Sequence, residues 1–394
     1  MGRRKSIRLS NMATEDLNDD DRISRLHDDL IHHIYSFMDT RFAVQTSLLS
    51  RRWRETWKSY PFLNFKIERP IDHKTGIKFP NFIHRFFSDR DHKAEITTID
   101  FQSNSIKLSL LKETIIYAMS HKTQKVNIEF LSDKLTRRGG LDISLFRSQF
   151  LQDLHLSIDF ELLKSPSLTW DLPSLTSLNL EGVTFTLNPL PNDSKCKSIE
   201  LFSRFPNLKT LVLIGCRLSN IDTFIITSNS LHNLSLIDLH HNSEFILTAP
   251  NLSSFTYYGM ARFSLSVKNL DSLQTVNFHT IYYRALQKQP ELVELMIKAF
   301  KQLHKAKFLA INSDVVRFLS GFPQVLETRC PFRSLTSLTL VEHRLPPSSI
   351  VFSDVIDYFR SSSPGVKVNV EIGVAASCSV NEVVLVYNTL WFGV

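Results

Sequence analysis

The sequence predicts an α/β protein in which a small N-terminal helical module precedes a curved solenoid built on a parallel sheet. Three observations carry this. Between residues 21 and 65 apolar side chains recur at three- and four-residue spacing, the period of a helix. From residue 96 onward an L-x-x-L-x-L unit returns ten times, its last two positions alternating with polar residues as in a short strand. A hydrophobic fraction of 43% and a charged fraction of 22% belong to a folded globular chain, and 394 residues allow one small module plus one large domain.

In the first module Leu30, Ile31, Ile34, Phe37 and Met38 fall on one helical stripe. Val44 and Leu48, then Trp53 and Trp57, repeat the i, i+4 spacing in two following segments. Asp28 and Asp29 occupy the first turn, where carboxylates suit the positive end of a helix dipole. A segment of about 45 residues cannot bury two tryptophans and this many aliphatics against itself. The leftover apolar face must meet another surface, either the rest of the chain or a partner.

This segment resembles the F-box, in particular its plant form. Asp21, Arg22, Ile23, Ser24, Leu26, Asp28, Asp29 and Leu30 stand at positions of the family pattern. So do Ile34, Ser36, Phe37, Met38, Thr40, Ala43, Val44, Thr46, Ser47, Leu49 and the run Ser50 to Arg54 with Trp57. One position departs: the family's proline after the first leucine is His27 here. That Leu-Pro pair shapes the entry to the first helix and touches the partner. The resemblance implies a Skp-family linker as partner, and through it a cullin. The residues it puts forward for that contact are Leu26, Leu30, Ile34, Phe37, Val44, Leu48, Trp53 and Trp57, with some of them expected to be internal core.

The repeat units are Leu151, Leu154, Leu156; Leu175, Leu178, Leu180; Leu208, Leu211, Leu213; Leu231, Leu234, Leu236; Leu252, Phe255, Tyr257; Leu273, Val276, Phe278; and Leu335, Leu338, Leu340. Weaker copies are Ile96, Ile99, Phe101; Val126 with Ile128; and Ala306, Leu309, Ile311. Several open with a turn, as in Leu172-Pro173-Ser174, Phe205-Pro206-Asn207 and Ala249-Pro250-Asn251. One unit cannot bury its leucine face, whereas stacked units share a continuous core. The pattern resembles the leucine-rich repeat in its irregular plant F-box form, with Gly215-Cys216 at the usual Asn or Cys position after the strand. After it, Val351, Val355, Ile356 and Phe359 fit a helix, and Val366, Val368 and Val370 a last strand, resembling the FBD domain. The expected divisions are a disordered leader at 1–20, the F-box at 21–65, the solenoid at 66–330 and an FBD-like cap at 331–394.

Other chemistries find no support in the sequence. It has 11 glycines, no phosphate-cradling G-x-G-x-x-G or Walker motif, and no H-E-x-x-H or G-x-S-x-G. Cys196, Cys216, Cys330 and Cys378 show no metal or disulfide spacing and read as reduced thiols. His32-His33 and His240-His241 are expected to face solvent, and no metal, cofactor or catalytic residue is assigned. The net charge of +7 is scattered, so nucleic-acid binding is not expected. The apolar last 23 residues carry Glu382 near their middle and are expected to be a buried element, not a membrane span. A basic start from Arg3 to Arg8 reads as solvated leader or weak nuclear-import patch, which places the chain in nucleus or cytoplasm.

The two resemblances together imply a non-catalytic adaptor of an SCF-type (Skp–cullin–F-box) ubiquitin ligase. The repeats would hold a substrate protein of unknown identity, through strand ends and long loops at 184–197, 218–230 and 282–292. A ligase-independent partner-binding protein and a small-molecule co-receptor remain as alternatives.

Overall fold

The computed structural model describes residues 23, 25–67, 78–103, 108–130, 145–158, 170–186, 197–281, 289–342 and 353–372. The expectations for the leader, for Cys196 and Cys378, and for the tail beyond residue 372 lie outside them.

Three short helices open the chain: α1 (Asp28–Tyr35), α2 (Thr40–Gln45) and α3 (Arg51–Thr56). Single 3₁₀ turns, Thr46–Leu48 and Trp57–Ser59, follow the second and third. The first strand, β1 (Phe62–Ile67), then begins one long sheet and lies across the expected division at 65. Helix α4 (Phe79–Asp89), β2 (Thr98–Ser103), α5 (Leu108–Ser120) and β3 (Lys125–Phe130) follow in alternation. Next come β4 (Asp153–Ile158) and β5 (Ser177–Glu181).

From here strands replace the helices behind the sheet. They are β6 (Thr184–Thr186), β7 (Ser198–Glu200), β8 (Thr210–Ile214), β9 (Arg217–Ser219), β10 (Thr223–Thr227), β11 (Asn233–Ile237) and β12 (Glu244–Thr248). The run continues with β13 (Ser254–Met260), β14 (Ser264–Asn269) and β15 (Thr275–Ile281). Helices then return: α6 (Pro290–Gln302), β16 (Phe308–Asn312), α7 (Ser313–Ser320), α8 (Pro323–Leu326), β17 (Ser337–Glu342), α9 (Ser353–Ser362) and β18 (Lys367–Ile372).

Twelve strands form one parallel sheet in the order β1-β2-β3-β4-β5-β8-β11-β13-β15-β16-β17-β18. All ten repeat units contribute a strand to it. Register explains why the repeat keeps phase: Leu154 pairs with Leu178, Leu178 with Leu211, and Leu211 with Leu234. The column continues through Phe255, Val276, Leu309 and Leu338 to Val368. A slip of one residue in any strand would turn its leucines to the opposite face. A second ladder fixes the strand entries. The Thr176 carbonyl accepts from Lys209 and Thr210, and that of Lys209 from His232 and Asn233. The His232 and Ser253 carbonyls repeat this for the next two strands.

The turns anticipated from Pro-Asn and Pro-Ser also link repeats. Asn207 Nδ2 donates to the Pro173 carbonyl and Asn251 Nδ2 to that of Asn229. Cys216 is buried after its strand, its thiol donating to the Leu180 carbonyl of the preceding repeat. Burial pushes that thiol up to about 12, so it serves as a packed donor and not as a nucleophile. Gly182 has φ +69° and faces the Ile158 carbonyl so closely that a Cβ would collide with it.

What stands behind the sheet varies along it, and the step from Ser177 to Thr210 holds β6, β7 and one 3₁₀ turn among its described residues. Strands starting at Thr210, Asn233, Ser254 and Thr275 are 21 to 23 residues apart, and an extended segment backs them. The longer steps from Thr275 to Phe308 and on to Ser337 hold helices. The segment 218–230, expected to be a long binding loop, is instead mostly strand. In Thr-Phe-Ile-Ile-Thr of β10 the side chains of Phe224 and Ile226 turn inward and are buried. Phe224 pairs with Phe245, and Phe245 with Leu265, in a four-stranded back sheet β14-β12-β10-β7. The segment 184–197 likewise begins with a strand, β6. His241 is half-buried rather than solvent-facing, its ring meeting Phe245 edge-on at 4.8 Å. Burial holds its pKa down to about 4.

Candidate partner-binding face of the N-terminal helices

Helix α1 starts at His27, whose φ of −64° and ψ of 150° are those of an extended N-cap. Asp28 in its first turn is bound by Arg52 of α3, Nη2 to Oδ1 at 2.7 Å, which lowers the carboxyl's pKa. Ile31 and Tyr35 point inward and are fully buried. Tyr35 meets Trp53 edge-on at 5.7 Å and Tyr60 at 5.3 Å, and its hydroxyl accepts from Thr46 Oγ1. Trp53 Nε1 donates to the Ile23 carbonyl, so its polar atom is satisfied inside the cluster.

Two sets of contacts fasten these helices to the sheet. Asp39 caps α2 by accepting from Arg41 N at 2.7 Å, while its other oxygen accepts from Lys66 N at 2.9 Å. Thr40 Oγ1 accepts from Asn64 N at 2.8 Å. Helix α2 therefore satisfies amides on the outer edge of β1, the edge that would otherwise invite another strand. On the other side Trp57 packs against Phe86 of α4 at 5.3 Å. The buried guanidinium of Arg90 donates to the carbonyls of Tyr60, Ala94 and Glu95. Polar partners on three sides let a charged group be buried at that junction.

The eight residues put forward from the sequence separate into three groups. Trp53 and Trp57 are buried and hold the module together. Leu26, Ile34 and Val44 are partly buried and pack against the core. Leu30 is half-exposed, and Phe37 and Leu48 stand out at 77% and 88% exposure. Val44 and Leu48 do not share a face as an i, i+4 pair in one helix would. Helix α2 stops at Gln45, and the 3₁₀ turn Thr46–Leu48 advances three residues per turn instead of 3.6. Ile23 and Leu49, which stand at pattern positions but outside the eight, and Phe42, which the sequence does not single out, are also exposed. Adjacent Leu48 and Leu49 were the available signal, since two neighbouring leucines cannot both enter one narrow stripe. Of the twelve large hydrophobic side chains exposed among the described residues, six lie between Ile23 and Leu49. The surface apolar excess of the molecule is concentrated there.

Among the described residues no three His, Cys, Asp or Glu side chains group as a metal site, and no helix is long and apolar enough to cross a membrane.

A family model for the F-box domain matches residues 23–65, the segment that carries this face. An FBD-associated F-box protein of Arabidopsis thaliana is 27% identical over 328 residues, covering 81% of this chain and 69% of its own. An F-box/FBD/LRR-repeat protein of the same organism is 29% identical over 332 residues, covering 81% and 70%. An F-box/LRR-repeat protein, also from Arabidopsis, is 31% identical over 253 residues, 61% of this chain and 55% of the relative. Residues 23–65 thus match the F-box domain, and along most of its length the chain is similar to F-box/FBD/LRR-repeat proteins of Arabidopsis.

Proposed function

We propose that the chain is the substrate-recognition adaptor of an SCF-type ubiquitin ligase. The F-box would hold a Skp-family linker, and through it a cullin, while the repeats hold a substrate protein. One observation carries the reading: six large apolar side chains, Ile23, Leu30, Phe37, Phe42, Leu48 and Leu49, are exposed on a module whose Ile31, Tyr35, Trp53 and Trp57 are buried. Apolar side chains concentrated on one exposed module mark a surface that a partner covers. The docking module would fall within residues 21–65, the substrate-presenting array within 66–330 and the closing segment within 331–394, with β1 shared across the first division.

Catalysis in such an assembly is proximity, raising the effective concentration of substrate lysines near a charged thioester. No residue of this chain touches that chemistry, and the assembly works in nucleus or cytoplasm. The test is capture of the full chain by an immobilised Skp-family protein. Wild-type chain is retained and Leu48→Glu is not. Equal retention of both would contradict the assigned face.

A further inference from the structure

Helices α6 and α8 leave a groove of about 470 Å³ between them, well away from the N-terminal helices. Its floor is apolar, made by Ile297 of α6 and Val325 of α8. Lys298, Lys301 and Arg329 stand around it, with Thr328 beside Arg329 and the carboxylate of Glu294 at the α6 end. Those three cations are exposed and make no ion pair among the described residues. Lys305, one turn beyond Lys301, is by contrast paired with Asp271.

A lysine in a last helical turn has a local use, because it faces the negative end of the helix dipole, and that accounts for Lys301. It does not account for Lys298, a turn earlier, or for Arg329, which comes from the segment after α8. Two elements therefore bring unneutralised positive charge to one apolar trough. The volume lies within the roughly 300–1,000 Å³ of ordinary ligand clefts. A simple anion would use the charges and leave Ile297 and Val325 wet. A polyanionic backbone would meet Glu294 along its path.

We infer that this groove docks a short acidic peptide segment of a partner protein, carboxylates on Lys298, Lys301 and Arg329 and an aliphatic side chain on Ile297 and Val325. Clustered cations around an apolar seat recognise acidic motifs in this way, and the long-range attraction speeds encounter. The site is independent of the F-box reading and can be tested without a Skp-family protein.

The test is fluorescence anisotropy of the full chain with a labelled peptide, Glu-Asp-Leu-Asp-Asp-Leu. The peptide binds, and more weakly as salt rises through the range where Debye screening takes hold. The double variant Lys298→Glu/Arg329→Glu loses roughly tenfold or more in affinity, the order expected from reversing two surface charges. Lys305→Glu, outside the lining, binds as wild type, and all variants keep the same far-UV circular dichroism, since the substituted side chains are exposed. Replacing both leucines of the peptide by serine weakens it, and inorganic phosphate at matched ionic strength does not displace it. Absence of binding, equal binding by the double variant, or displacement by phosphate would each overturn the assignment.

Discussion

The strands of the solenoid and the helices of the F-box both carry apolar stripes, yet they dispose of their side chains in opposite ways. Both inward strand positions of each of the ten repeat units, from Ile99 to Leu340, are no more than 2% exposed. In the F-box, Ile31, Tyr35 and Trp53 reach the same burial, while Leu30, Phe37 and Leu48 remain in water. Each inner strand has neighbours on both sides in the same register, so an inward leucine is covered by the next copy of itself. The F-box has a neighbour on one side only, where α2 satisfies the β1 edge and Trp57 meets Phe86. Its other side is left exposed. Periodicity thus reports burial where a repeat supplies its own cover, and only amphipathicity where it does not.

The comparison breaks most directly in the array. Leu178→Ala and Leu211→Ala each leave a cavity in a shared column and are expected to cost about 2–5 kcal/mol in chemical denaturation. Similar costs for Leu30→Ala would erase the distinction between the two regions. At the junction, Arg90→Met strands the carbonyls of Tyr60, Ala94 and Glu95. A buried acceptor left unbonded costs about 1–3 kcal/mol, and hydrogen exchange should show the loss spreading both into α3 and into β2. Opening confined to one side would mean that the junction does not couple them.

Acid sharpens the contrast. His241 in the back layer and His155 on β4 are held to about 4 by burial, against 6.5 when free. Between those values the unfolded chain binds more protons than the folded one, so stability falls as pH drops from about 6.5 towards 4. Asp100 and Glu181, raised by burial, act in the opposite sense on acidification. Melting temperature followed from pH 7 to 5 should decline, and less steeply in His241→Gln. An unchanged slope in that variant would assign the effect elsewhere. The smallest effect is at the helix entry. His27 already has the φ of a proline, and its amide has no backbone partner among the described residues. His27→Pro should add about 0.4–1 kcal/mol by restricting the unfolded chain and should leave linker capture equal or tighter. Weaker capture would show that the entry is built around the histidine.

Ten of the twelve rungs were legible as repeat units, seven strong and three weak, and Val366 to Val370 announced the last. β1 was not, since its Leu63, Phe65 and Ile67 follow the F-box without a break and are covered by it. Of the strands outside the main sheet, β6, β7 and β9 were missed because they have three residues each, too few to show a period. Thr223–Thr227 did carry the alternation, and length alone had suggested a loop there. In the candidate face the stripe was readable but its division was not. Which of Leu30, Ile31 and Ile34 faces out depends on where β1 and α4 lie, and local spacing does not hold that information.

The central claim is that one set of F-box side chains holds the fold and another holds a partner. Melting temperature and capture by a Skp-family protein, measured side by side on Phe37→Glu/Leu48→Glu and on Ile31→Ala, test it most directly. The account predicts that the first variant melts as wild type and is not captured. The second loses about 2–5 kcal/mol but is still captured below its melting point. A double variant that is captured normally, or that unfolds, would contradict the division.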